Sequence, residues 1–134
     1  MHMVIKIPIS PGELIDKITI LELKTEFITD EATLDVINSE LEHLNKEFEN
    51  ILDDFPKLSK KINSFKKELY NINKKLWDTE NKLRLHESKK EFHDDFIESA
   101  RMVYKHNDKR AKLKREVNEL LGSKISEIKS YLKY

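Results

Sequence analysis

"ISPGELIDKITILELK", residues 9–24, begins a helix that carries apolar side chains on nearly every side. Ser10, Pro11 and Glu13 match a capping box, with serine as the N-cap, proline at the first helical position and glutamate three residues after the cap. At about 100° per residue, the apolar side chains fall into two arcs on different sides of this helix. We therefore expect the helix to lie inside a bundle, or between the bundle and a second copy of the chain.

The composition limits the classes of protein to which the chain can belong. Its 134 residues suit a single domain over residues 1–134, and its net charge of +0 gives no global attraction to nucleic acid or to an anionic membrane. The absence of cysteine excludes disulfides and thiolate-bound metals and is typical of a reducing compartment. No apolar run reaches the roughly 20 residues of a membrane span, and the first residues do not match a secretory signal. We therefore expect a cytoplasmic protein.

The distribution of helix breakers predicts an all-α fold with long helices. The chain contains only two glycines and three prolines, so long stretches have no breaker. The predicted elements are an extended arm over 1–9 and helices over 11–28, 33–55, 57–88, 93–121 and 123–133. We expect an elongated antiparallel up-down bundle of four long helices, followed by a short C-terminal helix.

The second and third predicted helices carry matching apolar seams, in which the spacing alternates between three and four residues. Residues 30–54 contain nine acidic residues and one lysine, whereas residues 56–90 contain eleven basic and four acidic residues. Opposite charges beside the two seams favour pairing of these helices. The pattern predicts an antiparallel helical hairpin that turns at Pro56.

Polar residues interrupt the inward-facing arcs of the helices. By helical angle, the inward polar residues include Glu22, Asn73, Glu80, Arg84, Glu87, Asn107, Arg110, Lys114 and Asn118. Aligning an up-down bundle through its turns puts Glu22 near the level of Asn107, with Arg110 one turn away. Because a buried charge without a partner is unstable, these groups either pair with each other or face a solvent-filled cleft. Asp16 falls in the second apolar arc, where the dipole of its own helix accounts for a first-turn carboxylate.

Four long segments of mixed composition stand out: "PISPGELIDKITILELK", "LWDTENKLRLHE", "ARMVYKHNDKRAKLKREVN" and "LLGSKISEIKSY". They resemble the signature segments of an uncharacterised family of small helical bacterial and phage proteins, a domain of unknown function. The resemblance implies no activity, and a phage-encoded member would act in the host cytoplasm. Among the polar residues at the family's motif positions, four lie on helix 1 in addition to Glu22, namely Glu13, Asp16, Lys17 and Lys24. Our candidates for a ligand site or a buried polar network are Glu22, Glu80, Arg84, Glu87, Arg101, Tyr104, Asn107, Asp108, Arg110 and Lys114.

Two further clusters have ordinary structural interpretations. Lys60, Lys67 and Lys74 form a stripe without interleaved aromatic residues, which is typical of a solvated face, so we predict no nucleic-acid partner. A second cluster lies in a polar turn without the fixed helical spacing of known metal-binding motifs, so we predict no metal site there. Its members are His86, Glu87, His93, Asp94 and Asp95.

Three functional hypotheses remain, and the favoured one is an interaction or assembly module. It would form a homodimer through helix 1 and the N-terminal arm, and its polar layer would be a structural network. The alternative is a small all-helical enzyme for an anionic ligand such as a phosphate, although the paired acid motifs of helical nucleotide pyrophosphohydrolases are missing. In this enzyme hypothesis, Mg²⁺ would be bound by Glu22, Glu80 and Glu87. The anion would be bound by Arg84, Arg110 and Lys114. The third, a chorismate-mutase-like site, is disfavoured because helix 1 contains no arginine.

Overall fold

The computed structural model describes residues 3–134, and over this range every regular element is a helix. The four long helices are α1 (Pro11–Phe27), α2 (Glu31–Asp54), α3 (Ser59–Lys89) and α4 (Asp94–Leu120), with a 3-10 turn at Pro56–Leu58. The predicted all-α class and the four long helices are therefore confirmed. The first two residues of the predicted arm, Met1 and His2, lie outside the described residues.

Local chemistry sets where the helices begin and end. The Ser10 hydroxyl accepts a hydrogen bond from the Glu13 amide at 3.1 Å, as expected for an N-cap. The Asp30 carboxylate does the same for α2 by accepting from the Thr33 amide at 2.9 Å. At the end of α3, Lys90 adopts a left-handed conformation with φ of 55°. Caps of this kind pair the terminal backbone groups that the helices leave free.

The central element is α1, which packs against α2, α3 and α4. In its first apolar arc, Leu14, Ile15, Ile18 and Leu21 are buried, and in the second arc Leu23 is buried. The other long helices thus cover most of the first arc, whereas in the second arc Ile20 is only partly buried and Phe27 is exposed. Within one chain, α1 therefore lies among the other three long helices.

Helix pairing differs from the predicted hairpin. The main packing partner of α2 is α1, and α3 packs most extensively against α4. Side chains of α2 and α3 still meet, since the Lys66 ammonium lies 5.1 Å from the centre of the Phe48 ring. Both seams nevertheless contribute to one core cluster, in which Phe48 of α2 and Leu69 of α3 are buried together with Ile15 of α1. Leu41 of α2 is only partly buried.

The structure does not confirm the predicted short helix over residues 123–133. Gly122, with φ of 65°, follows α4 as expected for a C-terminal cap, but the chain after it is irregular. Ile128 and Leu132 are 88% and 95% exposed, so no tertiary surface supports a helix there. A helix this short is marginal without such support, and the Ser123 hydroxyl donates to the Ile125 carbonyl in a competing local turn.

Both terminal segments are irregular and reach the same part of the molecule. Residues 3–10 contain no helix or strand, and Ile9 packs at the edge of the core. The Ser10 hydroxyl donates to Glu127 at 3.1 Å, which brings the N-terminal segment to the tail that follows α4.

Among residues 3–134, no helix has the length and apolar character needed to cross a membrane.

Candidate functional site

A buried carboxylate, Asp16, joins three helices. Its side chain is 1% exposed and accepts hydrogen bonds from Nε of Arg110 at 3.0 Å and from Nη2 of Arg110 at 2.6 Å. From α3, Nδ2 of Asn73 donates to Asp16 at 2.8 Å and to the Thr19 hydroxyl at 2.9 Å. The bidentate geometry and the extra amide partner satisfy a charge that would be costly to bury alone.

Lys114 extends this network from α4 towards the start of α1. Its Nζ atom lies 2.6 Å from Glu13, 3.3 Å from Glu127 and 3.9 Å from Asp16. Burial by itself would lower the pKa of Lys114, but the hydrogen bond to Glu13 and the nearby negative charges raise it overall. The hydrogen bond to Asp16 likewise raises the pKa of Arg110 against the effect of burial. Both cations therefore keep their charge at neutral pH.

Close backbone packing accompanies the network. The Gly12 amide donates to Oδ1 of Asn118 at 2.8 Å, so α1 and α4 are in direct contact here. A Cβ atom on Gly12 would overlap the backbone oxygen of Lys114. The glycine is required by this close approach, because any side chain would push the two helices apart.

The acid at the centre of the network is not the one expected from the sequence. Glu22 is 32% exposed in its side chain and pairs with Lys66 of α3 at 3.0 Å, whereas Arg110 pairs with Asp16. The dipole of its own helix is not the main stabiliser of Asp16, because α4 lies on the Asp16 side of α1 and supplies Arg110 and Lys114. The feature of the sequence that could have indicated the burial of Asp16 is its position within an apolar arc of α1.

An open cleft of about 410 Å³ lies beside the network, between α1, α3 and α4. Its lining residues are Ile20, Leu23, Asn73, Leu76, Trp77, Glu80, Asn81, Arg84, Asn107 and Arg110. Nη1 of Arg110 donates to Oδ1 of Asn107 at 3.5 Å. Four candidates from the sequence thus share one cleft, namely Glu80, Arg84, Asn107 and Arg110. Trp77, at the margin of the inward arc of α3, also lines the cleft and stacks on Phe27 with ring centres 5.4 Å apart.

The remaining candidates lie outside both the network and the cleft. Glu87 pairs with Lys90 at 3.2 Å, and Arg101 pairs with Glu98 at 3.1 Å, both on the surface. Near the C-terminus, Tyr134 packs its ring on Tyr104 and donates to Asp108 at 2.7 Å. Within residues 3–134, no three histidine, aspartate or glutamate side chains converge as a metal site would require. The hypothetical metal ligands Glu22, Glu80 and Glu87 are thus not brought together.

These features define a class: a small all-α protein whose central helix is tied to its neighbours by buried acid–base pairs, with a cleft beside them. The chain belongs to a family of unknown function, DUF6165, whose family model matches residues 5–133. This confirms the resemblance to an uncharacterised family. No curated protein and no solved structure matches the chain.

Proposed function

We propose that the protein is an interaction or assembly module that forms a homodimer through its terminal segments. The observation that carries this proposal is the exposed apolar surface of the arm and the tail. In the arm the exposed apolar residues are Met3, Val4, Ile5 and Ile7, and in the tail they are Ile128, Tyr131 and Leu132. Exposed apolar residues concentrated in two neighbouring segments are typical of an interface rather than of an isolated monomer.

Two findings support the terminal segments as the interface. The family model spans residues 5–133, so the arm from Ile5 onward and nearly all of the tail belong to the family's shared domain. Ser10 and Glu127 join the bases of the two segments, which allows them to act as one surface. The sequence suggested helix 1 as a second contact, and Phe27 of α1 is 45% exposed, so α1 stays part of the proposed interface beside the terminal segments.

A second copy of the chain is the partner that fits best. With a net charge of +0, two copies have no global repulsion to overcome. The segment "VIKIPI" has strand propensity and exposed residues, so it is suited to pairing with the same segment of another copy. The helical spacing of Ile125, Ile128 and Leu132 suits a tail that becomes helical when a partner covers it.

The proposal also includes the finer arrangement of the bundle and its location. The short connections after α1, α2 and α3 support helices that alternate in direction, as in an antiparallel up-down bundle. The lack of cysteine supports the cytoplasm as the compartment.

Light scattering coupled to size exclusion tests the assembly. We expect the mass of a dimer at micromolar concentration, and a shift towards the monomer in Ile5→Glu and Leu132→Glu. Val36→Glu is the matched control, because Val36 is an exposed apolar residue of α2 outside the terminal segments. A monomeric wild-type protein, or a dimer that neither terminal variant weakens, would contradict the proposal.

The alternative hypothesis, a small enzyme, has support for only part of its site. Its three carboxylates do not converge. Lys114 of its anion clamp is held by Glu13 and Glu127, outside the cleft. Arg84 and Arg110 do line one cleft, which supports binding of an anion without supporting a particular reaction.

A further inference from the structure

We propose that the cleft between α1, α3 and α4 binds a small molecule with a planar apolar body and a single carboxylate or phosphate group. Its volume of about 410 Å³ is within the range of about 300 to 1,000 Å³ for small-molecule sites. The proposal concerns a different surface from the terminal segments, so it does not depend on dimer formation.

The apolar part of the cleft suits a planar body. Leu23 is buried and Ile20 and Leu76 are partly buried, which gives the cleft an apolar wall. Trp77 lines the same cleft, and its ring is positioned by stacking on Phe27 at an interplanar angle of 21°. A flat, partly buried aromatic surface favours ligands with a ring or another planar group.

The polar part provides positioned hydrogen-bond donors. Asp16 engages Nε and Nη2 of Arg110, whereas Nη1 has only the 3.5 Å contact with Asn107 and retains donor capacity. The ion pair with Asp16 orients this guanidinium before any ligand arrives, which reduces the entropic cost of binding. Arg84 is exposed and forms no ion pair with any residue in 3–134. A guanidinium matches the geometry of carboxylate and phosphate oxygens.

The charge of the cleft limits the ligand to one anionic group. Arg110 is already neutralised by Asp16, and Glu80 adds a negative charge to the lining. Arg84 is then the main cation for the ligand, and a polyanion would be repelled by Glu80. The amides of Asn81 and Asn107 add neutral hydrogen-bonding groups, which suit polar atoms elsewhere on the ligand.

Fluorescence of Trp77 is a direct probe, because the chain has one tryptophan and it lines the cleft. We expect phenylacetate, phenyl phosphate or both to change this fluorescence saturably. Benzyl alcohol, which lacks the anionic group, and acetate and inorganic phosphate, which lack the ring, should each bind at least about tenfold more weakly. The two phenyl compounds distinguish carboxylate from phosphate. The proposal would be overturned if neither phenyl compound changed the fluorescence saturably, or if benzyl alcohol, acetate or inorganic phosphate bound as tightly as the phenyl compounds.

Arg84→Ala tests the residue that the proposal uses most. Because Arg84 is exposed and outside the buried network, the variant should fold with an unchanged melt. We expect it to weaken the phenyl anions about tenfold or more, whereas Lys82→Ala, which removes an exposed cation of the same helix outside the cleft, should not. Equal affinity of the two variants would show that Arg84 does not hold the anion. Leu132→Glu should retain binding, which separates this test from that of the dimer.

Discussion

Asp16 has a negative charge at a depth where an unpaired carboxylate would be strongly destabilising. Arg110, Asn73 and Lys114 compensate it from two other helices. The result is a side chain that specifies how three helices meet, because its partners must arrive at set positions. Glu22, by contrast, pairs with Lys66 where water still screens both charges.

Asp16→Asn should destabilise the protein by about 3 kcal/mol, because it leaves Arg110 and Lys114 without their shared acid. Urea unfolding measures the loss. Glu22→Gln is the control and should change the free energy of unfolding by less than about 1 kcal/mol.

A double-mutant cycle completes this test. Adding Arg110→Met to Asp16→Asn should recover part of the loss, with a coupling energy above about 1 kcal/mol. Additive effects of the two changes, or a larger loss in Glu22→Gln than in Asp16→Asn, would show that the network is not the stabilising unit.

At the scale of the elements, docking of α1 on α4 depends on a close approach at one glycine. Gly12 lies in the first turn of α1, and its amide is bonded to Asn118. The same turn contains Glu13, whose carboxylate receives the Lys114 ammonium. Backbone contact and ion pairing therefore reinforce each other at this end of the helix pair.

Gly12→Ala should lower the free energy of unfolding by about 1 to 3 kcal/mol, although alanine is the better helix former. The added Cβ would overlap the Lys114 backbone and lie 2.8 Å from Oδ1 of Asn118. Thermal and urea melts measure the change. Gly122→Ala is a useful comparison, because that site has open space but a φ of 65°, so only backbone strain is tested. A Gly12→Ala protein that is more stable than the wild type would contradict the close approach.

At the scale of the whole molecule, stability should depend on the protonation of His106. This residue of α4 is buried, and its Nδ1 atom has no hydrogen-bond partner within residues 3–134. Burial lowers the pKa of His106 below its usual 6.5, and the charges of Lys75 and Lys109 lower it further. In the unfolded chain the histidine takes up a proton near its usual pKa, before the folded protein does.

The unfolded state therefore binds more protons once the pH falls below about 6.5, and the native state loses stability there. We expect His106→Gln to reduce the slope of stability against pH below 6.5, by up to about 1.4 kcal/mol per pH unit. Melts of both proteins across this pH range measure it. His43→Gln, at an exposed site of α2, is the control and should keep the wild-type slope. Identical slopes for all three proteins would rule out His106 as a contributor.

Much of the fold could be predicted from local signals. Ser10 and Gly122 take the expected positions at the start of α1 and after the end of α4, and the sparse breakers indicate four long helices. These features depend on neighbours within a few residues, so the chain itself determines them. The sequence also identifies the family, because the family is recognised by its sequence motifs and these can be read without the tertiary structure.

The tertiary structure decided which surfaces meet. Helical angle shows that Asp16 and Glu22 lie on different sides of α1, but the position of α4 determines which carboxylate becomes buried and paired. Likewise, the tail has helical spacing, yet no surface of its own chain covers Ile128, so the helix does not form. The physical reason is the same in both cases. Periodicity describes one element, whereas burial and ion pairing depend on elements distant in sequence, whose placement minimises the free energy of the whole chain.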